Sequence, residues 1–212
     1  MHGLKTQQGR RFLAARRGMR RSAVVELSRE IAEHVISSPF FRAAGAALLY
    51  SATDNEVETD AVRTAGHASG KLGYYGRALR RTGGLEFVRV SPGEALHRGV
   101  LGTYEPTDDE VFRPGQPALV IVPGVAFDLS GARLGRGRGY YDRTLRRRRP
   151  LADILGLAFD IQLTSSLPRA AHDEPVDFVA TELGVLCCSE ACYPRMPDGP
   201  DKGVVWESGW SS

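Results

Sequence analysis

The chain has 212 residues, and 28 Lys and Arg against 25 Asp and Glu leave a formal net charge of +3. Its 42% hydrophobic and 25% charged residues are ordinary globular values, which exclude a disordered chain, a collagen and a coiled coil. A single domain of this length buries its core without a metal or disulfide staple. No apolar run approaches the roughly 20 residues that span a bilayer, and the Arg-rich start lacks the apolar segment of a secretory signal.

The three cysteines stand close together near the C-terminus, at Cys187, Cys188 and Cys192. An odd number with this spacing fits neither a disulfide framework nor a zinc site. We therefore expect reduced thiols and a cytoplasmic protein.

The first half of the chain alternates helices and strands. Apolar side chains recur at helical spacing, which predicts a helix over 22–37 that ends before Pro39. A strand, a polar loop, a helix and two strands joined by a glycine turn are predicted next, at Ala46–Tyr50, 51–59, 60–69, Lys71–Tyr75 and Leu85–Val90.

The second half begins with a long polar connection over 91–117. The further elements are predicted as a buried strand, a helix and two more strands, at Ala118–Val122, 140–150, Ile154–Phe159 and Asp177–Thr181. Short apolar strands alternating with helices predict a parallel, doubly wound α/β sheet. We expect one domain over 1–190, and a tail over 191–212 that does not join the core.

The chemistry is expected in a glycine-rich loop between a strand and a helix, Arg133-Leu-Gly-Arg-Gly-Arg-Gly-Tyr-Tyr-Asp142. Glycines at alternate positions let backbone N–H groups approach an anion, and the arginines between them can fork onto phosphate oxygens. Asp142 could hold a Mg²⁺ that bridges phosphates. The loop is neither a Walker A loop nor a Gly-x-Gly-x-x-Gly dinucleotide loop.

This loop resembles the signature of the 5-formyltetrahydrofolate cyclo-ligase (methenyltetrahydrofolate synthetase) family, together with Pro123-Gly-x-x-Phe-Asp128 before it. Asn55-Glu-Val-Glu-Thr59 resembles the family's Asp-Glu-Ile-Glu-Thr. Further similar stretches follow in family order, at Gly70-Lys71, Leu157–Phe159, Leu167-Pro168, His172-Asp173, Val176-Asp177 and Thr181-Glu182. The likeness covers roughly residues 5–183.

The resemblance implies a single-domain, three-layer α/β/α open sheet, mostly parallel and Rossmann-like, of the kind shared with CoA transferases. It implies an ATP- and Mg²⁺-dependent ligase that converts 5-formyltetrahydrofolate to 5,10-methenyltetrahydrofolate and releases ADP and phosphate. The formyl oxygen would take the γ-phosphoryl group before the ring closes. The partners implied are the folate and ATP, on a protein that is a monomer and binds neither nucleic acid nor membrane.

The resemblance also assigns residues to roles. ATP is expected to contact both the N-terminal helix and the glycine-rich loop, at Lys5, Arg10, Arg133, Leu134, Gly135, Arg136, Gly137, Arg138, Gly139, Tyr140 and Tyr141. The folate is expected to contact Tyr50, Glu56, Phe127, Gly137 and Tyr141, with Glu56 holding the pterin. Arg138 and Tyr141 are the expected catalytic residues, and Asp142 and Asp173 the expected Mg²⁺ ligands.

Two departures from the family pattern bear on these assignments. The family opens with Lys-x-x-x-Arg on its first helix, whereas Lys5 and Arg10 have one residue too many between them. Because Arg16 keeps its family-like spacing from Arg10, we favour Arg10 over Lys5. After the second strand the family has Pro-Arg, where this chain has Gly76-Arg77.

Three alternatives to the cyclo-ligase stay open. The chain could be a relative that binds ATP but acts on another substrate or has lost the activity. Arg-rich stretches at the N-terminus and over 143–149 could bind RNA, although the net charge is small and no stacking aromatics are interleaved. A nicotinamide-dependent oxidoreductase is disfavoured by the missing dinucleotide loop.

Overall fold

The computed structural model describes residues 2–99, 102–113, 115, 117–146, 152–170 and 173–188. Within these ranges the helices are α1 (His2–Arg17), α2 (Arg21–Ser37), α3 (Pro39–Ala43), α4 (Asp60–Ala68) and α5 (Tyr140–Arg146), with a 3₁₀ turn at Asp160–Gln162. The strands are β1 (Ala46–Leu49), β2 (Leu72–Leu79), β3 (Gly84–Arg89), β4 (His97–Arg98), β5 (Tyr104–Glu105), β6 (Ala118–Pro123), β7 (Ala126–Asp128), β8 (Arg133–Leu134), β9 (Ala152–Leu157), β10 (Leu163–Thr164), β11 (Phe178–Thr181) and β12 (Gly184–Cys187).

Seven strands form one sheet in the order β12-β11-β9-β6-β1-β2-β3. The five central strands run parallel, and the strands at both edges, β12 and β3, pair antiparallel with their neighbours. The expected mostly parallel α/β sheet is therefore confirmed. Two smaller sheets accompany it, one of β10-β7-β8 and one of β4-β5.

The two faces of the sheet are covered differently. Alternate residues of β1, such as Ala47 and Leu49, join the apolar cluster beneath α2, α3 and α4, while Ala46 and Leu48 join a second cluster on the other face. That second face is covered by Leu145 of α5 and by the small sheet that includes β7. The result is three layers, the third of which is partly a sheet.

Most predicted elements match the structure to within a few residues. The helix over 22–37, the strand at Ala118–Val122 and the hairpin at 71–90 are found as α2, β6 and β2–β3. The predicted helix over 140–150 is described to Arg146. The end of that helix, Cys192 and the proposed tail over 191–212 lie outside the described residues. Among the residues described, no helix is both long and apolar enough to cross a bilayer.

The connectivity marks one edge of the sheet as the place for a ligand. From β1 the chain continues to β2 and β3 on one side, and then returns to β6, β9 and β11 on the other. Such a reversal opens a crevice outside the carboxyl ends of the two strands at which it occurs, here β1 and β6. The loops that follow these strands, 50–59 and 124–139, are those that carry the predicted site residues.

Candidate active site

The loop after β1 is fastened to the end of α1. Asp54 and Asn55 both adopt left-handed backbone conformations, with φ of 57° and 56°. This conformation turns the Asn55 side chain onto the helix end, where Nδ2 donates to the carbonyl oxygens of Arg16 and Met19 at 3.3 and 3.1 Å. Asn and Asp tolerate this region of φ better than other residues with a side chain. The loop therefore caps the carbonyl groups that α1 leaves unpaired at its end.

A buried arginine of α1 lies at the centre of this arrangement. The Arg16 side chain is 1% exposed. Its Nε donates to the Asp54 carbonyl oxygen at 3.1 Å, and its Nη1 donates to the Gly124 carbonyl oxygen at 2.9 Å. Arg16 thus bridges the loops that follow β1 and β6, the two strands that border the crevice.

Glu56 is the carboxylate that faces this arginine. It is 8% exposed, and its Oε1 lies 3.7 Å from Arg16 Nη2 and 3.0 Å from Arg136 Nη2. Its Oε2 accepts hydrogen bonds from the backbone N–H and the hydroxyl of Thr53 at 3.0 and 3.3 Å. The residue expected to hold the pterin is therefore joined to the glycine-rich loop through Arg136.

Charges of both signs converge on this cluster. Asp54 Oδ2 lies 3.5 Å from Arg136 Nη2 and 3.8 Å from Arg16 Nη2. The hydrogen bond from Arg17 to its carboxylate lowers the pKa of Asp54, and burial lowers the pKa of the Arg16 guanidinium despite the nearby Glu56. The cluster holds three guanidinium groups and two carboxylates, so it retains a net positive charge suited to an anionic ligand.

A second buried guanidinium comes from the glycine-rich loop. The Arg133 side chain is 4% exposed, and its Nη2 donates to Asp142 Oδ1 at 2.8 Å. Its Nη1 lies 3.4 Å from the carbonyl oxygen of Pro123, at the end of β6, and its guanidinium lies 5.5 Å from the centre of the Tyr141 ring. This arginine therefore fastens the start of α5 to the end of the central strand.

Tyr141 packs against both apolar clusters of the core. Burial raises the pKa of its hydroxyl, and the charge of Glu56 raises it further. Its hydroxyl is therefore protonated at neutral pH and can donate a hydrogen bond. Tyr140, the neighbouring candidate, lies beneath Arg143, whose guanidinium is 5.6 Å from the ring centre.

The rest of the glycine-rich loop divides into buried and exposed parts. Leu134 is buried and packs with Val125 and Ala126, so its side chain faces the core. Arg138 is exposed, as is Gly137, which has a φ of 84°. The other two glycines are only partly exposed, with an arginine guanidinium next to each, at Gly135 and Gly139.

Two residues expected to contact the folate are part of the core. Tyr50 is 3% exposed, and its hydroxyl donates to the Val57 carbonyl oxygen at 2.7 Å. Phe127 is fully buried, and its ring fills the space beside Gly124 and Gly156, where a Cβ would overlap it. Neither side chain is exposed to a ligand; both support the loops of the site from the core.

The N-terminal helix does not present its two candidates on one face. α1 is continuous from His2 to Arg17, so residues five positions apart, such as Lys5 and Arg10, differ by about 140° around its axis. Arg10 is exposed, while the buried face carries Gly9 and Arg16. The Lys5 side chain lies outside the described part of the structure.

The two expected metal ligands come from different segments: Asp142 belongs to α5, and Asp173 lies before β11, where its Oδ2 accepts from the backbone N–H of Ala170 at 2.7 Å. Asp142, 20% exposed, shares one oxygen with Arg133. Arg146, one turn further along α5, pairs with Glu174 at 3.0 Å, which brings the segment that contains Asp173 alongside. Among the residues the structure describes, no group of three or more His, Cys, Asp and Glu side chains could hold a metal ion. A Mg²⁺ here would therefore complete its shell with phosphate oxygens and water.

Arg77, considered as a ligand contact, is used within the fold. It lies directly opposite Glu86 in the β2–β3 hairpin, and the two side chains pair at 2.8 Å. Its Nη1 donates to the Asp108 carbonyl oxygen at 2.9 Å.

A half-open cavity of about 280 Å³ lies beside the loop after β1. Its walls include Ala52, Arg63, Tyr75 and Tyr104. The cavity thus runs from the carboxyl end of β1 toward the connection that follows β3, and its size suits part of a drug-sized ligand.

Three residues in the site have no role predicted from the sequence. Arg16 and Asp54 belong to the charged cluster, and Gln162 is buried with its Nε2 donating to the carbonyl oxygens of Gly124 and Val125 at 3.0 Å. The signal for Arg16 is its spacing from Arg10, which follows the family pattern.

Comparisons with known proteins agree on one family. The model of the 5-formyltetrahydrofolate cyclo-ligase family matches residues 3–182. The 5-formyltetrahydrofolate cyclo-ligase of Mus musculus is 29% identical over 145 residues, which cover 63% of this chain and 71% of the mouse protein. That of Escherichia coli K12 is 37% identical over 102 residues, 47% of this chain and 56% of the bacterial protein. The NMR structure of Aquifex aeolicus 5,10-methenyltetrahydrofolate synthetase superposes with a TM-score of 0.75 at 32% identity, covering 88% of this chain and 94% of that one.

Proposed function

Because the chain belongs to the 5-formyltetrahydrofolate cyclo-ligase family, whose members are ligases, we propose that it uses ATP and Mg²⁺ to convert 5-formyltetrahydrofolate to 5,10-methenyltetrahydrofolate. One observation carries this proposal. The pairing of Glu56 with Arg136 at 3.0 Å joins the loop after β1, expected to bind the folate, to the glycine-rich loop, expected to bind ATP. The two substrates would therefore meet at the crevice between β1 and β6.

The proposed reaction has two steps. The formyl oxygen attacks the γ-phosphorus of ATP, and ADP leaves. The neighbouring ring-closing nitrogen then attacks the formyl carbon and gives up its proton, and the carbon–oxygen bond breaks to release inorganic phosphate, which carries that proton away. A site for such chemistry has to position the reactants and neutralise negative charge rather than form bonds of its own.

The glycine-rich loop fits the phosphate groups. Arg136 and Arg138 are accessible, at 46% for the Arg136 side chain, and could fork onto phosphate oxygens. Arg133 has a buried Nε without a hydrogen-bond partner among the described residues. An orphaned donor of this kind is costly unless a ligand satisfies it. Asp142 and Asp173 would hold the Mg²⁺, which when bound would neutralise charge on the phosphates.

The loop after β1 and the adjoining cavity fit the folate. The Glu56 carboxylate can accept from an amino and N–H edge such as that of a pterin. Tyr141, held protonated by its burial, can donate to an oxygen that gains negative charge. The cavity of about 280 Å³ next to Ala52 offers room for the part of the folate that extends beyond the ring.

The direct test is an absorbance assay for the methenyl product with 5-formyltetrahydrofolate, ATP and Mg²⁺, beside a reaction without ATP. We expect an ATP-dependent rise. Arg138→Ala should lower turnover about 100-fold or more, because it removes a donor to the developing phosphoryl charge. Arg81→Ala, an exposed arginine in the β2–β3 turn, is the matched control and should keep full turnover. No rise with the folded wild-type protein would contradict the proposal.

One observation favours a second candidate, a relative that binds ATP but acts on another substrate. The residues at the family's Pro-Arg position are Gly76 and Arg77, and Arg77 pairs with Glu86. Nucleotide binding without turnover of 5-formyltetrahydrofolate would favour this candidate. For either activity we propose a cytoplasmic monomer, on the cysteine pattern and on the family resemblance.

A further inference from the structure

Two buried arginines from distant parts of the chain meet at the end of β6. Arg16 of α1 donates to the carbonyl oxygen of Gly124, and Arg133 of β8 approaches that of Pro123, the preceding residue. The side chains are 1% and 4% exposed. The end of β6 thus holds one guanidinium group from each of two distant parts of the chain, at the strand where the crevice opens.

Each of these guanidinium groups keeps one buried donor unused. Arg16 Nη2 and Arg133 Nε have no hydrogen-bond partner among the residues described. The carboxylates of Glu56 and Asp54 lie 3.7 and 3.8 Å from Arg16 Nη2, within electrostatic reach but beyond a hydrogen bond. Both guanidinium groups have a carboxylate nearby, since Arg133 pairs with Asp142 at 2.8 Å, but a buried N–H without an acceptor is unfavourable unless a ligand supplies one.

The unused donor of Arg16 lies toward the glycine-rich loop. Oε1 of Glu56 is shared between Arg16 Nη2 and Arg136 Nη2, which places the two guanidinium groups against the same oxygen. A carboxylate ligand is satisfied by a single bidentate arginine, whereas a phosphoryl group has oxygens pointing in three directions for separate donors. The geometry therefore favours a phosphoryl group.

We propose that Arg16 is a phosphoryl-binding residue, whose Nη2 donates to the phosphoryl group that is transferred. The proposal deepens the proposed function and rests on it for the identity of the reaction. It assigns to α1 a direct contact with the reacting group through the second half of the helix, two turns beyond Gly9.

The test measures binding of inorganic phosphate and of a non-hydrolysable ATP analogue by calorimetry, without folate. Arg16→Lys keeps the charge but loses the forked donors, and Arg16→Gln loses both. Since a hydrogen bond to a charged group is worth about 1.5–3 kcal/mol, we expect Arg16→Gln to weaken both ligands about ten- to hundredfold, and Arg16→Lys to weaken them less.

Arg21→Gln is the matched control. It removes an arginine five residues further along the chain, outside the charged cluster, which pairs with Glu58 and has a 65% exposed side chain. Phosphate affinity should stay within about twofold in this variant because the removed charge is screened by solvent. Equal weakening in Arg21→Gln and Arg16→Gln would show a general loss of positive charge and would overturn the proposal.

Arg16 also bridges two loops, so its variants could fold poorly. A crystal structure of the wild-type protein with ADP and phosphate then decides, because a phosphate oxygen should lie within about 3.2 Å of Arg16 Nη2. Phosphate bound elsewhere would overturn the proposal. If the wild type turns over the folate while Arg16→Gln binds phosphate normally, the inference fails and the proposed function stands. If phosphate binding depends on Arg16 but the wild-type protein does not turn over the folate, the phosphate site is supported and the proposed function is refuted.

Discussion

Replacing Glu56 by Gln tests whether the charged cluster is held by electrostatics. The substitution keeps the size of the side chain, and its amide oxygen can still accept the two hydrogen bonds from Thr53. It removes the negative charge closest to Arg16, which cannot lose its own charge at neutral pH. The buried guanidinium is then left with Asp54 as its remaining counterion.

The size of the effect follows from the geometry. At the 3.7 Å that separates Arg16 Nη2 from Glu56 Oε1, two unit charges attract by about 4.5 kcal/mol at an effective dielectric constant of about 20. Two effects reduce the net loss: Asp54, at 3.8 Å, still attracts the guanidinium after the substitution, and a neutral glutamine costs less to bury than a carboxylate. Breaking a buried pair from one side typically costs about 3–5 kcal/mol, so we expect the free energy of unfolding to fall by about 2–4 kcal/mol.

Urea denaturation at pH 7 measures this loss, and thermal unfolding should show a lower Tm by about 2–4 °C for each kcal/mol. Glu58→Gln is the control, because Glu58 pairs with Arg21, whose side chain is 65% exposed. That loss should stay below about 1 kcal/mol. Were Glu56→Gln as stable as the wild type, or no less stable than Glu58→Gln, the cluster would not depend on this charge.

Three further predictions concern stability. Gly131→Ala should prevent accumulation of folded protein, because Gly131 has a φ of 78° and an added Cβ would overlap the Val176 carbonyl oxygen. Gly93→Ala is the control: Gly93 has a φ of 79° but open space around it, so the free energy of unfolding in a urea titration should fall by only about 1–3 kcal/mol. Burial raises the pKa of Tyr75 to about 12, so the unfolded state loses this proton from about pH 10 upward and the free energy of unfolding falls as pH rises. Tyr75→Phe should make that fall less steep by about 1.4 kcal/mol per pH unit, as measured by unfolding from pH 9 to 12. Burial raises the pKa of Glu182, so its contribution to the free energy of unfolding is fully present below the ordinary carboxyl pKa and is lost as pH rises. Glu182→Gln should therefore have a higher Tm than the wild type at pH 7, and the difference in Tm should disappear near pH 4.

The elements that the sequence predicts are those with strong local patterns. β6 is apolar at nearly every position, as a strand buried on both faces should be, and α2 repeats its apolar residues at helical spacing. β8 and β10 have two residues each, too few for any periodicity to show. The small sheet that covers part of the second face therefore has no signal of its own.

The candidate site shows the same division. The glycine-rich loop can be recognised because its residues are consecutive. The pairs that organise it are not local: Arg136 and Glu56 are 80 residues apart, and Arg16 and Gly124 are 108 apart. The geometry of Arg16 depends on how α1 docks, and an arginine on the buried face of a helix weakens the apolar pattern that would have indicated the docking.

The docking of α1 also bears on how the chain assembles during synthesis. This helix is synthesised before the other elements described here, and the groups that hold it come later: Asn55 at its end, Gly124 on Arg16, and the apolar residues Val125, Ala126 and Leu134 against which Phe12 and Leu13 pack. Contacts this remote in sequence form slowly, because closing the intervening chain costs entropy. The helix that borders the crevice is thus made before all the partners that fix its position, and it cannot dock fully until the chain through Leu134 has been synthesised.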